Sequence, residues 1–195
     1  MLIPTERSEA EIEVKKSRFI AIAIPTSSME EVKEAVLSVR KEHPDATHVV
    51  HAAVIGKAGT MYSSSDDREP KNTAGRPALE VVKGSGITNI TVAIVRYFGG
   101  TLLGTGGLVK AYSDSAKAVL SIVHTEELIE KTEFSMTLPY NAYTLIKRLL
   151  DEVSAEIIKE DFDINITIKG RVPSDNLPKL QSEAMDIGQG RILLS

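Results

Sequence analysis

Apolar residues recur along the chain with two different periods, which predict alternating strands and helices. Residues 11–25 first alternate between polar and apolar and then become continuously apolar, so they predict a strand or a bent pair of strands that ends at a proline. Residues 28–44 place apolar side chains at helical spacing, with Ser28 as the N-cap and Glu31 as its capping-box partner. A second proline stops this predicted helix.

The next segments predict a hairpin, a buried strand and two more helices. Residues 47–65 predict two paired strands, and a polar, turn-rich segment then leads to a helix through 78–83 with Thr73 as its cap. Residues 89–98 are the most strand-like stretch of the chain, and 108–124 predict a long helix. The residues expected on the inward face of that helix are Leu108, Ala111, Tyr112, Ser115, Val119 and Ile122.

From residue 126 the pattern restarts, and it predicts the order β-α-β-β-α-β of a ferredoxin-like domain. We therefore expect an α+β protein with one domain over 1–126 and a second over 127–195. The elements predicted after the boundary are a strand over 126–140, a helix over 141–153 capped by Asn141, a hairpin over 155–170, a helix over 174–188 closed by Gly188, and a last strand over 190–195.

Composition narrows the possible partners of the protein. The chain has 195 residues and no cysteine, which excludes disulfides and sulfur-ligated zinc. Its net charge is −4, and residues 1–125 carry +1 while residues 126–195 carry −5, so only a local basic patch is compatible with nucleic-acid binding. The apolar runs fall short of the ~20 residues that a transmembrane helix needs. We expect no secretory signal, no membrane partner and a cytoplasmic location.

A glycine-rich segment, RYFGGTLLGTGG over 96–107, lies between a predicted buried strand and a predicted helix. Free N–H groups at such a helix N-terminus favour an anion. The segment is neither GxGxxG nor a Walker motif, because Thr105 stands where the lysine would be. The alternative is packing of the strand against the helix at positive φ angles. Both interpretations apply to its glycines, which are Gly99, Gly100, Gly104, Gly106 and Gly107.

Charged and aromatic residues flank the glycine-rich segment. Arg96, directly after a buried strand, is suited to bind a phosphate or carboxylate through two hydrogen bonds, or else to pair with an acidic loop. Tyr97 and Lys110 lie close to it in sequence. Stacking on a nucleobase and ordinary core packing are both open for Tyr97, Phe98 and Tyr112.

The acidic loop offers three carboxylates, on Asp66, Asp67 and Glu69. They could hold Mg²⁺ or supply acid and base chemistry, and they could equally form ion pairs with arginines such as Arg76. His48 is three residues from the next histidine along a predicted strand, so the two point to opposite faces and are poor joint metal ligands.

The segments SDDREPKNTAGRP and VRYFGGTLLGTGGLVKAYS together resemble the paired signature of the YigZ/IMPACT family, as do SRF at 17–19 and ATH at 46–48. The resemblance implies an N-terminal α/β domain of the superfold named for the second domain of ribosomal protein S5, shared with the RNase P protein and GHMP kinases. It also implies a C-terminal ferredoxin-like domain similar to the last domain of elongation factor G.

The resemblance links the chain to translation. The eukaryotic member restrains a stress kinase that controls initiation, but it carries an extra N-terminal interaction domain that this chain lacks, so the kinase role is not expected here. For bacterial members, nucleic-acid or ribosome binding is the usual proposal, with no enzymatic activity firmly attached.

The sequence departs from the family signature at four positions. Arg68 and Asn72 replace two glycines, and asparagine tolerates the left-handed region whereas arginine does so poorly. Val49 and Val50 replace a histidine and a cysteine after ATH, which leaves His48 alone.

Two hypotheses for function follow. The first is a non-catalytic, translation-associated protein that binds RNA, the ribosome or a protein of the translation machinery, with no cofactor and no bound metal. The second is a phosphate- or nucleotide-binding enzyme in which LLGTGG cradles phosphates and Asp66, Asp67 or Glu69 holds Mg²⁺. The oligomeric state stays open. The candidate binding residues are His48, Asp66, Asp67, Glu69, Arg76, Arg96, Tyr97, Gly99, Gly100, Gly104, Gly106, Gly107 and Lys110.

Overall fold

The computed structural model describes residues 1–192 and Leu194, and the chain divides into two compact units, Met1–Leu128 and Ile129–Ser195. In the described part of the chain, no helix has the length and apolar character needed to span a membrane. The elements of the first unit are, in chain order, β1 (Leu2–Pro4), β2 (Ser8–Val14), β3 (Ser17–Pro25), α1 (Met29–Glu42), β4 (His48–Ile55), β5 (Met61–Ser65), α2 (Gly75–Gly84), β6 (Ile90–Tyr97), α3 (Gly104–Leu120) and β7 (Thr125–Glu127).

The first unit is built around a five-stranded antiparallel sheet in the order β2-β3-β6-β4-β5. Strand β6 lies at its centre and is buried along both faces, which explains its unbroken apolar sequence. Helix α1 covers one face, where Val39 packs with Ile22 and Val95. Helices α2 and α3 cover the other face, where they pack on sheet residues such as Phe19 and Ile94. Strands β1 and β7 pair in a separate two-stranded ribbon.

The start of the chain follows the predicted pattern with one change. Residues 8–25 form the hairpin of β2 and β3, and helix α1 begins after Ser28, whose Oγ accepts a hydrogen bond from the Glu31 N–H at 3.2 Å. The Glu31 carboxylate accepts from the N–H of Ser27 at 2.7 Å instead of from Ser28. The N-cap prediction is confirmed, and the reciprocal half of the capping box is displaced by one residue.

Two predictions about the helices of the first unit are wrong. Thr73 does not cap α2, because its hydroxyl donates to the Pro70 carbonyl and the helix begins two residues later, at Gly75. Helix α3 begins at Gly104, four residues before the predicted start, because packing of Leu108 in the core outweighs the low helix propensity of its glycine-rich first turn. It ends at Leu120, so Ile122 lies beyond the helix and is 49% exposed instead of inward-facing.

The second unit contains β8 (Lys131–Leu138), α4 (Tyr143–Glu152), β9 (Glu156–Phe162), β10 (Ile166–Pro173) and α5 (Leu177–Ile187). Its antiparallel sheet has the order β8-β10-β9, and buried residues of α4 and α5, such as Ile146 and Leu180, pack against buried residues of the sheet such as Ile168. The predicted hairpin over 155–170 and the closing Gly188 are confirmed.

Three details of the second half differ from the sequence pattern. The predicted strand over 126–140 is divided, since Thr125–Glu127 pairs with β1 and β8 starts only at Lys131. Asn141 does not cap α4, because it lies inside a short 3₁₀ turn that precedes the helix. Of the predicted strand over 190–195, Leu194 forms an isolated antiparallel bridge with Met136, while Leu193 and Ser195 lie outside the described residues.

Candidate functional site

A buried polar cluster lies at the end of β6, and Glu69 is its centre. Arg96 Nη1 donates to Glu69 Oε1 at 2.5 Å, and the Tyr112 hydroxyl donates to the same oxygen at 2.8 Å. The Arg96 and Glu69 side chains are only 6% and 4% exposed. Burial raises the pKa of Tyr112, and the neighbouring Glu69 carboxylate raises it further. Tyr112 therefore stays a neutral hydrogen-bond donor to the carboxylate.

Two aromatic rings enclose the Arg96 guanidinium. Its central carbon lies 5.4 Å from the Phe19 ring centroid and 5.6 Å from the Phe98 ring centroid, within the range of cation–π contacts. Nη2 lies 3.5 Å from Ser17 Oγ, while Nε is buried without a hydrogen-bond partner among the described residues. Arg96 is thus fixed by its neighbours and is not free to reach out into solvent.

The imidazole of His48 is oriented by a backbone carbonyl. Its Nδ1 lies 2.8 Å from the Asp67 carbonyl oxygen, and because a carbonyl only accepts, Nδ1 is the nitrogen that carries the hydrogen. The other nitrogen, Nε2, lies 3.7 Å from Glu69 Oε1, beyond hydrogen-bonding distance. In the neutral ring, Nε2 is therefore an unused acceptor. His48 is opposite Arg96 in the pairing of β4 with β6, and this register brings the two together.

The three carboxylates of the acidic loop bind separate partners. Asp66 Oδ1 accepts from the N–H groups of Ala74 and Gly75 at 3.0 and 2.8 Å, and Oδ2 accepts from Asn72 at 2.8 Å. Asp66 therefore provides the N-terminal cap of α2 that the sequence assigned to Thr73. This cap was missed because Asp66 is distant from the helix in sequence.

Asp67 is bound to a different part of the unit. Its Oδ2 accepts from the Val49 N–H at 2.6 Å and from the Arg40 guanidinium. Asp66 binds backbone N–H groups of α2 and Glu69 binds Arg96, so the three carboxylates of the acidic loop do not converge on one ligand. Residues 1–192 with Leu194 contain no group of three His, Asp or Glu side chains that could hold a metal ion. Of the two alternatives that the sequence left open for these carboxylates, the structure shows hydrogen bonds and ion pairs and no converging set of Mg²⁺ ligands among the described residues.

The glycines have separate roles in the structure. A Cβ on Gly99 would lie 2.0 Å from the carbonyl carbon and oxygen of Lys16, and the Gly99 N–H donates to Ser17 Oγ at 3.2 Å, so this glycine is needed for close packing. Gly100 and Gly104 have φ angles of 82° and 74°, in the left-handed region. Gly106 and Gly107 lie in the first turn of α3 instead of in a loop.

A cavity of about 440 Å³ opens above the polar cluster, and we call it the strand-end cavity. His48, Glu69 and Arg96 form its polar part, and Gly104 and Thr105 at the start of α3 also line it. No side chain caps α3 and its first turn has no acidic residue, so the positive end of the helix dipole is not neutralised there. The remaining lining residues are Thr47, Pro70, Phe98, Leu102, Leu103 and Leu108.

The rim of the strand-end cavity is exposed and apolar. Phe98 is 46% exposed and Leu102 is 83% exposed, although both are large hydrophobic residues. The Phe98 N–H donates to Thr47 Oγ1 at 3.2 Å, which holds the rim against the start of β4. An aromatic rim above a polar floor is a common arrangement of ligand sites.

Comparisons with known proteins identify the relatives of this chain. Residues 15–120 match the family model described as the Impact N-terminal domain. The chain belongs to the IMPACT family. An IMPACT family member of Haemophilus influenzae is 34% identical, with 99% of this chain and 95% of that protein covered. IMPACT family member YigZ of Escherichia coli is 37% identical, with 99% and 96% covered. A solved structure titled "Crystal structure of an hypothetical protein" has a TM-score of 0.74 at 37% identity and covers 99% of this chain and 95% of that chain.

Two of the four departures from the family signature lie at unusual backbone conformations. Arg68 and Asn72, where the resemblance implies glycines, have φ angles of 69° and 63°. The loop thus keeps a glycine-like conformation with an arginine in it. The Arg68 side chain is 74% exposed, and its Nη2 lies 3.4 Å from the Thr47 carbonyl oxygen, beside the rim of the strand-end cavity.

Three residues that the sequence grouped with this surface lie elsewhere. Tyr97 points to the opposite face of the sheet, because side chains alternate along β6, and its hydroxyl lies 2.8 Å from His43 Nδ1. Lys110 is exposed and pairs with Asp114 one turn later. Arg76 is exposed on α2 and lines a different hollow.

The sequence reasoning missed a pair of lysines close to the rim. Lys15 and Lys16 form the exposed turn between β2 and β3, next to Gly99, and neither has an ion-pair partner in the described ranges. Both have positive φ angles, 48° and 67°, at a two-residue turn where Asn-Gly is the preferred sequence. The sequence signal for these residues is a Lys-Lys pair between two strands, at a position where a two-residue turn favours Asn-Gly.

Proposed function

We propose that this protein is a non-catalytic, translation-associated protein that binds RNA of the ribosome at the rim of the strand-end cavity. Membership of the IMPACT family supports the link to translation. The observation that supports RNA as the ligand is a combination of cations and an aromatic ring. The exposed Arg68 guanidinium, 4.0 Å from Asp67 Oδ1, and the half-exposed ring of Phe98 lie at the rim, and the backbone of the turn of Lys15 and Lys16 lies against the neighbouring Gly99. Cations bind phosphates, and aromatic rings stack on bases.

The turn formed by Lys15 and Lys16 is called the lysine turn below, and its conformation supports a role for its two charges. A left-handed conformation costs about 1 kcal/mol or more for a residue other than glycine. Lys15 and Lys16 both adopt it, and Asn-Gly would avoid the cost. Strain retained at a solvent-exposed turn, where no packing requires lysine, favours use of the two ammonium groups in binding.

No specific contact favours the alternative of a nucleotide-processing enzyme. The three carboxylates that would have held Mg²⁺ are already bound to backbone N–H groups, to Arg40 and to Arg96. The start of α3 has Thr105 where a phosphate-binding lysine would stand.

We also propose the finer assignments of the two units. An N-terminal domain over 1–126 of the ribosomal-protein superfold is supported by the mixed helix and sheet layers of the first unit. A ferredoxin-like domain over 127–195 is supported by the β8-β10-β9 order and by the bridge of Leu194 with Met136 of β8. A cytoplasmic location follows from the proposed role in translation.

Co-sedimentation with purified ribosomes at low and high salt tests the proposed function. The variant K15N/K16G removes two charges and installs a favoured turn, and K33Q/K41Q is the matched control, because it removes two exposed lysines on the opposite face of the sheet. We expect wild type and control to sediment at low salt and to be released at high salt, and K15N/K16G to remain in the supernatant. Loss of two phosphate contacts lowers the salt slope by about 1.4 for a single strand.

Two outcomes would contradict the proposal. If wild type stays in the supernatant at both salt concentrations, the protein does not bind ribosomes. If K15N/K16G sediments like wild type, ribosome binding uses another surface.

A further inference from the structure

We infer that the strand-end cavity accepts one unstacked nucleobase of single-stranded RNA, which stacks on Phe98. This inference rests on the proposed function and specifies the form of RNA that the site selects. It requires a stacking surface, a cavity of suitable size with free acceptors, and a place for the adjoining phosphate.

Phe98 provides the stacking surface. Its ring contacts the buried Arg96 guanidinium on one side, at 5.6 Å, while 46% of the residue remains exposed. Arg96 is itself held over Phe19 and by Glu69, so it supports Phe98 without being able to leave the cluster. A rigid aromatic ring with a free surface is what single-stranded nucleic acids use for stacking.

The cavity has the size and the polar groups for a base. A volume of about 440 Å³ lies within the range of small-ligand sites, and Leu103 and Leu108 form apolar walls. Two acceptors of residues that line the cavity receive no hydrogen bond from a described group: His48 Nε2 and Glu69 Oε2. Neither is a fully buried unpaired atom, so both can accept from N–H groups that a ligand brings into the cavity.

The free acceptors indicate which bases fit. An exocyclic amino group, as in adenine, cytosine and guanine, donates two hydrogen bonds. Uracil has a single N–H between two carbonyl oxygens, and these oxygens would face the Glu69 carboxylate unfavourably. We therefore expect single strands of adenine or cytosine to bind more tightly than single strands of uracil.

The adjoining phosphate has a place at the start of α3. Gly104 and Thr105 line the same cavity, and the helix has neither a capping side chain nor an acidic residue in its first turn. Lys16 and Arg68 lie beside the rim, at Gly99 and Thr47, where the strand would enter and leave. A base within a duplex is paired and stacked, so duplex RNA cannot present one to the cavity.

Fluorescence anisotropy with labelled ten-nucleotide RNAs tests the inference. The probes are single strands of adenine, cytosine and uracil and a self-complementary duplex. The variants are F98A, F98W and, as a matched control, L37A, which removes an exposed apolar side chain on α1. We expect F98A to weaken single-strand binding roughly five- to a hundred-fold, F98W to retain it, and L37A to leave it unchanged.

The outcomes separate this inference from the proposed function. Equal affinity of F98A and wild type for single strands, or equal affinity for duplex and single strand, would overturn the inference even if ribosome co-sedimentation still depends on Lys15 and Lys16. Displacement of the bound single strand by millimolar adenosine monophosphate would support a base in the cavity. Binding of the mononucleotide without binding of any single strand would overturn the assignment to RNA.

Discussion

Arg96 and Glu69 form a buried ion pair, with Nη1 and Oε1 2.5 Å apart, that joins the two signature segments of this IMPACT protein. Glu69 comes from the acidic segment after β5, and Arg96 comes from the end of β6. Tyr112, in the same signature as Arg96, donates to the same carboxylate oxygen. The two motifs are therefore linked by one buried carboxylate, and residues of both, including Glu69 and Arg96, line the strand-end cavity.

Removing only one partner of this pair is expected to be costly. E69A leaves the Arg96 charge buried without its carboxylate and should lower the free energy of unfolding by about 3–5 kcal/mol. The double variant E69L/R96M removes both charges and should lose less than the sum of the single variants E69L and R96M. Urea unfolding of wild type and of these four variants measures the differences. Additive losses, within about 0.5 kcal/mol, would show that the two residues are not energetically coupled.

Two glycines of the same segment are expected to respond in opposite directions to alanine. G99A places a Cβ 2.0 Å from the Lys16 carbonyl group, so the β2–β3 turn must move and stability should fall by about 3 kcal/mol. G106A adds a Cβ in open space within the first turn of α3, and should raise stability by about 0.5–1 kcal/mol. Thermal unfolding of both variants measures the contrast, and a stable G99A protein would contradict the packing described here.

Asp66 is expected to act as the cap of α2. D66A removes the acceptor of three backbone N–H groups and should cost about 2 kcal/mol, while D66N keeps one amide oxygen and should cost less. D45A, at an exposed aspartate, is the control and should be nearly neutral. Hydrogen exchange along α2 measures the local effect, and unchanged protection in D66A would contradict this role.

His51 is expected to make stability dependent on pH. Burial lowers its pKa below the ordinary value of 6.5, against a smaller opposing effect of Asp67, so the unfolded chain takes up a proton before the folded protein does. The free energy of unfolding should therefore fall as the pH drops below about 6.5 and continue to fall until the folded-state pKa is passed. Urea denaturation of wild type and H51Q at several pH values from about 8 to about 5 measures this effect. The free energy of unfolding should depend less on pH in H51Q than in wild type. Parallel profiles would refute this assignment.

The two lysines of the turn are expected to lower the stability of the protein while strengthening its binding to ribosomes. K15N/K16G relieves two left-handed lysines and should raise the free energy of unfolding by about 1 kcal/mol or more while weakening ribosome binding. Thermal unfolding of this variant, measured beside the co-sedimentation assay, distinguishes loss of binding from loss of folding. A destabilised variant would mean that the lysine side chains contribute to the fold.

Much of the fold was predictable because strand and helix periods are local properties of the sequence. The hairpin of β2 and β3, the helix beginning after Ser28 and the buried strand β6 all follow from such patterns. The start of α3 was not predictable from local patterns, because the four residues 104–107 are rich in glycine and have a low intrinsic helix propensity. They are helical in the structure, where the next residue, Leu108, packs in the core.

The candidate site was predictable in its residue types but not in its contacts. Arg96, Glu69 and His48 were identified in the sequence, and the pairing of β4 with β6 brings two of them side by side. Tyr97 was grouped with Arg96 because the two are adjacent, although adjacent residues of a strand face opposite ways. The sequence leaves metal binding and ion pairing both open for Asp66, and its role as a cap is not predictable because its backbone partners in α2 become neighbours only after folding.

The pairing of β1 with β7 affects the order in which the first unit is assembled during synthesis. Residues 2–4 pair with residues 125–127, so strand β1 obtains its partner strand only after nearly all of the first unit has been made. Domains fold as units while the chain emerges at about 5–20 residues per second, so β1 waits for β7 for several seconds or more. A fragment that ends at residue 120 would keep only the bridge of Leu2 with Ile87, whereas one that ends at Leu128 would let the ribbon close.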